Sequence, residues 1–409
     1  MNDRFSATYA IETSGDPVAA ATEMAGESST ATFVRIPGER ADIAGRHGAR
    51  IERLAETETA SRDGRVVRRA DVTLSWPLEN TGPSLPNILA TVAGNLFDVA
   101  SVTSLRLLDV ALPSALRQAY AGPQFGIDGT RELLGATGRP LIGTIVKPSV
   151  GLTPEETADL VARLAEGGID FIKDDELMAD PPHCPFERRA EAVMAVLRRH
   201  EERTGRRVMY AFNITGEIDQ MLRRHDQVAA LGGSCVMVSL NWVGVTGLAH
   251  LRRHASLPIH GHRNGWGILN RGPSVGVDFL AWHKFFRIAG ADHLHVNGID
   301  NKFYETNESV IRSARACLEP VFADGGAPMR VMPVFSSKQT VLQASKTYQA
   351  LGSVDLIYAC GGGIIAHPDG IRAGVESIRQ AWEAAMRGVP LDEFSNTLPE
   401  LRRAISAFA

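Results

Sequence analysis

Four charged residues in a row, Lys173-Asp174-Asp175-Glu176, follow the apolar run Ile169–Ile172, which itself follows Gly167-Gly168. Strand formers behind a glycine pair read as a short buried strand. Alternation along a strand sends Lys173 and Asp175 to one side and Asp174 to the other. Glu176 falls where the strand becomes a loop. Asp175 and Glu176 converging there form a hard-oxygen set suited to Mg²⁺. An amine beside two acids ordinarily only neutralises them; bearing a carbamate, Lys173 becomes a third anionic oxygen donor. The alternative is a charged strand end making surface salt bridges, and the run alone does not separate the two.

Similar polar groups close other short apolar runs: Lys147-Pro148-Ser149, His260-Gly261-His262-Arg263-Asn264-Gly265-Trp266, His293-Leu294-His295, Ser336-Ser337-Lys338 and Cys360-Gly361-Gly362-Gly363. The glycine run offers backbone N–H groups to an anion, or is a flexible turn. Arg263 with His295 suits a second anion, because a guanidinium fork matches phosphate or carboxylate oxygens. His262 donates or accepts near neutral pH. His293 reads as a structural histidine with Asp292 as a local partner. Lys147 is a candidate base, or an ordinary ion-pair partner of the acidic run. Lys302 lies in the loop Asn297-Gly298-Ile299-Asp300-Asn301, which either closes over substrate or leaves a solvated lysine. Together these suggest Mg²⁺ holding a keto or enediolate oxygen pair, with phosphate gripped at the rim.

The elements that must carry these groups read as strand–helix repeats from Arg139 onward. Strands are expected at Leu141–Val146, Ile169–Ile172, Val208–Phe212, Cys235–Ser239, Pro258–Gly261, His293–Val296, Val331–Phe335 and Asp355–Tyr358. The helices between and after them are expected at Thr153–Glu166, Pro185–Glu202, Glu217–Leu231, Gly247–Arg253, Asp278–Ala289, Asn307–Leu318, Val341–Leu351 and Gly370–Met386. Short apolar strands suit a parallel sheet buried on both faces. Eight such units over roughly 250 residues argue for a (β/α)₈ TIM barrel, whose active site lies where strands end and loops begin. A doubly wound sheet lacks its Gly-rich fingerprint here. Before the barrel, Phe5–Thr13, Ala70–Trp76 and Ser101–Val110 read as strands and Asp16–Ala25 as a helix. They suggest an α+β domain with an antiparallel sheet, of ferredoxin-like type. The break at Gly122–Gly126 sets the domains at 1–125 and 126–409.

With 409 residues, 44% hydrophobic and 22% charged, and a net charge of −4, the chain has no marked nucleic-acid or membrane character. Its four cysteines show no metal-site spacing and read as reduced cytoplasmic thiols. The N-terminus lacks the pattern of a secretory signal.

The segments Glu27-Ser28-Ser29-Thr30-Ala31-Thr32-Phe33, Gly94-Asn95, Gly138-Arg139-Pro140-Leu141, Lys147-Pro148, Phe171–Glu176, His262-Arg263, Asp292–His295, Lys302, Met332-Pro333-Val334 and Gly361–Gly363 occur in an order and spacing that resembles the RuBisCO large chain over nearly the full length. The resemblance implies a carbamylated Lys173 that binds Mg²⁺ with Asp175 and Glu176, and Lys147 as base. It places His262 near the metal-bound oxygens, Arg263 and His295 on one phosphate, and Ser336, Gly361 and Gly362 at the other anion site, where Ser337 and Lys338 lie alongside. Lys302 would meet a substrate carboxylate. Glu27 and Asn95 would come from the partner subunit of a homodimer, and Thr32 would bind substrate.

Departures also count. Ser149 replaces a second lysine, Phe33 a tryptophan, Trp266 a histidine and Lys338 a phosphate-binding glycine, and the Lys302 loop is altered. These imply a RuBisCO-like protein (form IV), not a CO₂-fixing carboxylase. With Lys302 and Lys338 present, the expected substrate is the 3-oxo-isoapionate 4-phosphate of apiose catabolism, a branch of carbohydrate metabolism. The reaction is decarboxylation by a lyase, or transcarboxylation and hydrolysis. Alternatives are a methylthio-pentulose or diketo-methylthiopentane phosphate isomerase or enolase, and a non-catalytic sugar-phosphate binder.

Overall fold

The computed structural model describes residues 3–31, 40–62, 65–322, 324–325 and 328–409. Contacts divide the chain into two compact units: Met1–Gly122 with Gly265–Ala289 and Pro320–Met329, and Pro123–Asn264 with Gly290–Glu319 and Arg330–Ala409. Among the described residues, no helix is long and apolar enough to cross a membrane. The four cysteines are free and buried.

The first unit is built on β1 (Arg4–Thr13), β2 (Arg50–Arg62), β3 (Arg65–Pro77) and β4 (Ser104–Ala111), in the sheet order β4-β1-β3-β2. Helices Pro17–Glu27 and Leu85–Val92 lie between strands in sequence, which gives the β-α-β-β-α-β succession of a ferredoxin-like domain. Asp16 caps the first helix by accepting from the Ala19 N–H. The sheet is mixed, not purely antiparallel as expected. A two-residue strand, β10 (Gly276–Val277), pairs parallel with β4, although it follows the fifth barrel strand in sequence. The helix Phe279–Ala289, expected as the fifth barrel helix, belongs to this unit too. Its Lys284 donates to Asp109 Oδ1 (2.6 Å) and to the Val110 carbonyl (2.7 Å). Strand β2 was not anticipated: its face is largely polar, and period-2 alternation is weak without a buried side.

The second unit is a closed parallel barrel of β5 (Leu141–Ile145), β6 (Phe171–Lys173), β7 (Met209–Asn213), β8 (Cys235–Ser239), β9 (Ile259–His262), β11 (His293–His295), β12 (Met332–Phe335) and β13 (Ile357–Ala359). The expected strands are present, mostly within a residue or two at their ends. The expected helix Gly247–Arg253 is longer, Leu240–His254, and is broken at Gly244. Leu141, Phe171, Met209, Cys235, Met332, Val334 and Ile357 share one buried apolar cluster. Gly143 leaves room for this filling, since a Cβ there would lie 3.0 Å from Phe171 and 3.2 Å from Ile357. The parity that places these residues in the core also directs Lys173, His260, His262, His293 and His295 inward.

Candidate active site

Lys173 closes β6 in register with Ile145 and Ala211 of the flanking strands. It is 1% exposed; its Nζ donates to the Asp174 carbonyl (2.8 Å) and to Glu176 Oε2 (3.3 Å). Burial lowers its pKa, against the raising influence of Glu176 and Asp175. Asp175 is also buried. Its Oδ2 accepts from Lys147 Nζ at 2.8 Å and its Oδ1 from the Leu177 N–H. Lys147, at the end of β5, also donates to Ser149 Oγ at 2.6 Å, so the serine noted in the sequence serves as an acceptor for the lysine.

Glu176 completes the group, and His262 Nε2 lies 3.4 Å from its Oε2. Burial opposes ionisation of Glu176, but His262, Lys173 and hydrogen bonding together bring its pKa to about 2. Burial first, then Lys173, brings His262 to about 4. The imidazole is therefore neutral near pH 7. His262 Nδ1 accepts the Asn264 N–H, so the neutral ring carries its proton on Nε2, toward Glu176.

Asp174 points away, as alternation requires. It is fully buried and accepts from Arg189 (3.2 and 3.3 Å), the Tyr210 hydroxyl (2.5 Å) and the Asn213 N–H (2.9 Å). The acidic run thus splits into one structural carboxylate, Asp174, and two at the barrel mouth, Asp175 by alternation and Glu176 past the strand end.

A line of histidines descends from the mouth. Ser336 Oγ lies 3.1 Å from His295 Nδ1, and His295 Nε2 lies 2.7 Å from His260 Nε2. His260 Nδ1 lies 3.4 Å from His293 Nδ1, and His293 Nε2 lies 2.8 Å from Thr130 Oγ1. Thr130 donates to the Gly126 carbonyl, so its oxygen accepts from His293. Burial holds His260, His293 and His295 neutral, His293 at about 3. One proton order then satisfies every link: Ser336 donates to His295, His295 to His260, His260 to His293, and His293 to Thr130. His293 is structural, as expected, but its partner is not Asp292. That carboxylate instead takes Arg252 and the N–H groups of Phe125, Gly126 and Ile259.

The remaining expected residues are placed unevenly. Arg263 is 7% exposed, and its guanidinium forks onto Glu305. Ser337 and Lys338 both have positive φ, 70° and 57°. The Ser337 hydroxyl is buried without a partner, while Lys338 is exposed. Lys302 is exposed, with Nζ 5.3 Å from the Phe303 ring centre, and has no described contact with the carboxylates. Glu27 and Asn95 are exposed on adjacent elements of the first unit. Thr32 lies outside the described residues. Trp266 packs at a tilt against Trp282 in the first unit, ring centres 5.4 Å apart and planes 60° apart.

Gly361–Gly363 open the short helix Gly361–Ile365, so their N–H groups have no acceptor within it. A Cβ on Gly363 would lie 2.5 Å from the Gln339 carbonyl. On Gly362 it would meet nothing within 4 Å, and on Gly361 only Ile145 and Lys147 at 3.9 and 4.0 Å. Packing therefore requires Gly363 alone, and the space over the other two can admit a ligand.

Two carboxylates and a buried lysine of lowered proton affinity fit a divalent cation, provided the amine carries CO₂ as a carbamate. A second group, His225, Asp226 and His254, is satisfied internally. His225 Nε2 accepts the Ser256 N–H and its Nδ1 faces Asp226, leaving no ring nitrogen for an ion. Sequence reasoning gave no role to Glu305, Thr130 or His260. Only His260 carried a signal, its inward parity with His262.

Comparison with known proteins matches the ribulose bisphosphate carboxylase large chain, catalytic domain, over residues 126–408, and its N-terminal domain over 3–116. A Xanthobacter autotrophicus protein named 3-oxo-isoapionate-4-phosphate transcarboxylase/hydrolase is 55% identical over 99% of both chains. A Rhizobium etli protein named 3-oxo-isoapionate-4-phosphate decarboxylase is 43% identical over 98% of both. The crystal structure of a rubisco-like protein from Burkholderia fungorum superposes with a TM-score of 0.93 at 45% identity, covering 99% of both chains.

Proposed function

The chain belongs to the ribulose bisphosphate carboxylase large-chain family, and from that premise we propose an enzyme that breaks a carbon–carbon bond in a phosphorylated 3-oxo sugar acid of the 3-oxo-isoapionate 4-phosphate type. The observation that carries this reading is Lys147 Nζ, 2.8 Å from the buried Asp175, beside the buried Lys173 and the partly buried Glu176. It sets a proton carrier against a carboxylate pair suited to a divalent cation. Lys173 as its carbamate, Asp175 and Glu176 would hold Mg²⁺, which supplies positive charge to an enolate as it develops.

This chain's own groups divide the remaining work. Lys147 moves the proton at the carbon next to the carbonyl, and Asp175 holds its amine in place. His262, proton on Nε2, donates toward a substrate oxygen. Gly361 and Gly362 hold phosphate through their N–H groups, beside Ser336 and Ser337. Lys302 and Lys338 are the cations offered to the substrate carboxylate. In this reading two copies share each site, with Glu27 and Asn95 reaching the partner's barrel and Thr32 binding substrate.

Transcarboxylation with hydrolysis ranks before decarboxylation, because the 55% identical relative carries that name. The two outcomes differ in mass balance. Decarboxylation releases CO₂ and leaves a four-carbon ketose phosphate, whereas hydrolysis adds water and keeps every carbon in acids. Incubating the protein with Mg²⁺, bicarbonate and the 3-oxo acid phosphate, then following CO₂ and phosphorylated products, tests the proposal. No turnover there, with turnover of a methylthio-pentulose phosphate, would transfer the chain to the isomerase reading.

A further inference from the structure

Arg263 follows His262 directly, at the mouth where His262 faces Glu176. Its buried fork is filled by Glu305, Nη1 to Oε1 at 3.4 Å and Nη2 to Oε2 closer still. Both guanidinium and carboxylate are nearly sequestered, with side chains 7% and 4% exposed. Asn297 Nδ2 donates to Glu305 Oε2 at 3.0 Å, and Ser309 Oγ to Oε1 at 3.4 Å. Each carboxylate oxygen therefore has two donors. Asn297 is itself held in the left-handed region, φ 74°, at the start of the Lys302 loop, and Glu305 ends that loop.

A carboxylate in an arginine fork has the charge and planar spacing of one edge of a phosphate. A buried guanidinium needs such a counter-anion, and a phosphate arriving here would have to evict one already matched. The evicted Glu305 would lose Arg263 and Asn297 together and remain a buried charge.

We propose that Glu305 is a specificity residue: it fills the Arg263 anion position from within, so the barrel mouth accepts sugar substrates bearing one phosphate and rejects bisphosphates. This rests on reading the mouth as a sugar-phosphate site. It adds which of two anion positions is open, namely that over Gly361 and Gly362, and why the other is closed.

The test is binding, independent of turnover. Wild type, Glu305→Gln and Glu305→Gln/Arg263→Met are titrated calorimetrically with ribulose 1,5-bisphosphate and ribulose 5-phosphate in Mg²⁺. Glutamine keeps the shape but removes the charge, so bisphosphate affinity rises by about tenfold or more over wild type, the order expected of a charge-assisted fork. Monophosphate affinity stays within about threefold, and the double variant loses the gain. An unchanged or weaker bisphosphate affinity in Glu305→Gln overturns the proposal, as does a gain that survives in the double variant. Should Glu305→Gln not fold, wild-type crystals grown with the bisphosphate decide. Arg263 still on Glu305 supports the assignment, and a phosphate on Arg263 overturns it. Failure of the carbon–carbon cleavage assay would leave these comparisons intact, so the two readings fail separately.

Discussion

Asp174 and Asp175 are adjacent acids with opposite duties, and Asp174→Asn separates them. Asp174 and Arg189 are both fully buried, and the pair is tied to Tyr210 and Asn213. Asparagine can still accept from Arg189, which also keeps the carbonyls of Cys184 (2.9 Å), Met178 (3.1 Å) and Ala179 (2.7 Å). What is lost is the compensating charge. Breaking one side of a buried ion pair costs about 3–5 kcal/mol. The surviving hydrogen bonds place this variant at the lower end, about 3 kcal/mol. With urea slopes of about 1–3 kcal/mol per molar, the midpoint falls by about 1 M or more. Circular dichroism during urea unfolding measures this, and the cycle with Arg189→Met should return a coupling of about 2 kcal/mol. Mg²⁺ binding by the folded fraction, read by calorimetry, stays near wild type. A stability loss below about 1 kcal/mol, or loss of Mg²⁺ binding at unchanged stability, would refute the division of labour by strand parity.

Asp175→Asn and Lys173→Ala should instead keep stability within about 1–2 kcal/mol and lower kcat by about a thousandfold or more, with Mg²⁺ binding lost in calorimetry. Acid should destabilise the metal-free protein early. His293 at about 3, and His260, His283 and His295, also lowered by burial, bind fewer protons folded than unfolded. Stability therefore falls as pH drops below their ordinary 6.5, by up to about 1.4 kcal/mol per pH unit for each ring; a flat urea midpoint from pH 6.5 to 5 contradicts this. Gly363→Ala, with its Cβ 2.5 Å from the Gln339 carbonyl, should cost about 1–3 kcal/mol in urea unfolding. Gly362→Ala should leave stability alone and weaken phosphate binding by calorimetry. Thr130→Val strands the His293 N–H and should cost about 1–3 kcal/mol, read as a lower urea midpoint.

The barrel was legible because its strands are short apolar runs bounded by glycine, proline and polar clusters, a local signal. The helix Asn307–Leu318 was read to the residue. The sheet of the first unit was less legible. β2 has a mostly exposed face, and β10 is two residues long, so neither carries a pattern of its own. Assignment of Phe279–Ala289 to the barrel failed for a related reason. Its apolar stripe shows that it packs on something but not on what, and β4 is distant in sequence.

At the site, the sequence by itself determined which groups share the barrel mouth, because a period of two and common strand ends fix direction and height. That sufficed to face Lys173 inward and Asp174 away. Pairing was decided by the tertiary structure alone. Arg263 takes Glu305 across 42 residues, His293 takes Thr130 across 163 rather than its neighbour Asp292, and Arg189 takes Asp174. Hydrogen bonds and ion pairs act over about 3 Å of space, and separation along the chain says nothing about that distance until the barrel has closed.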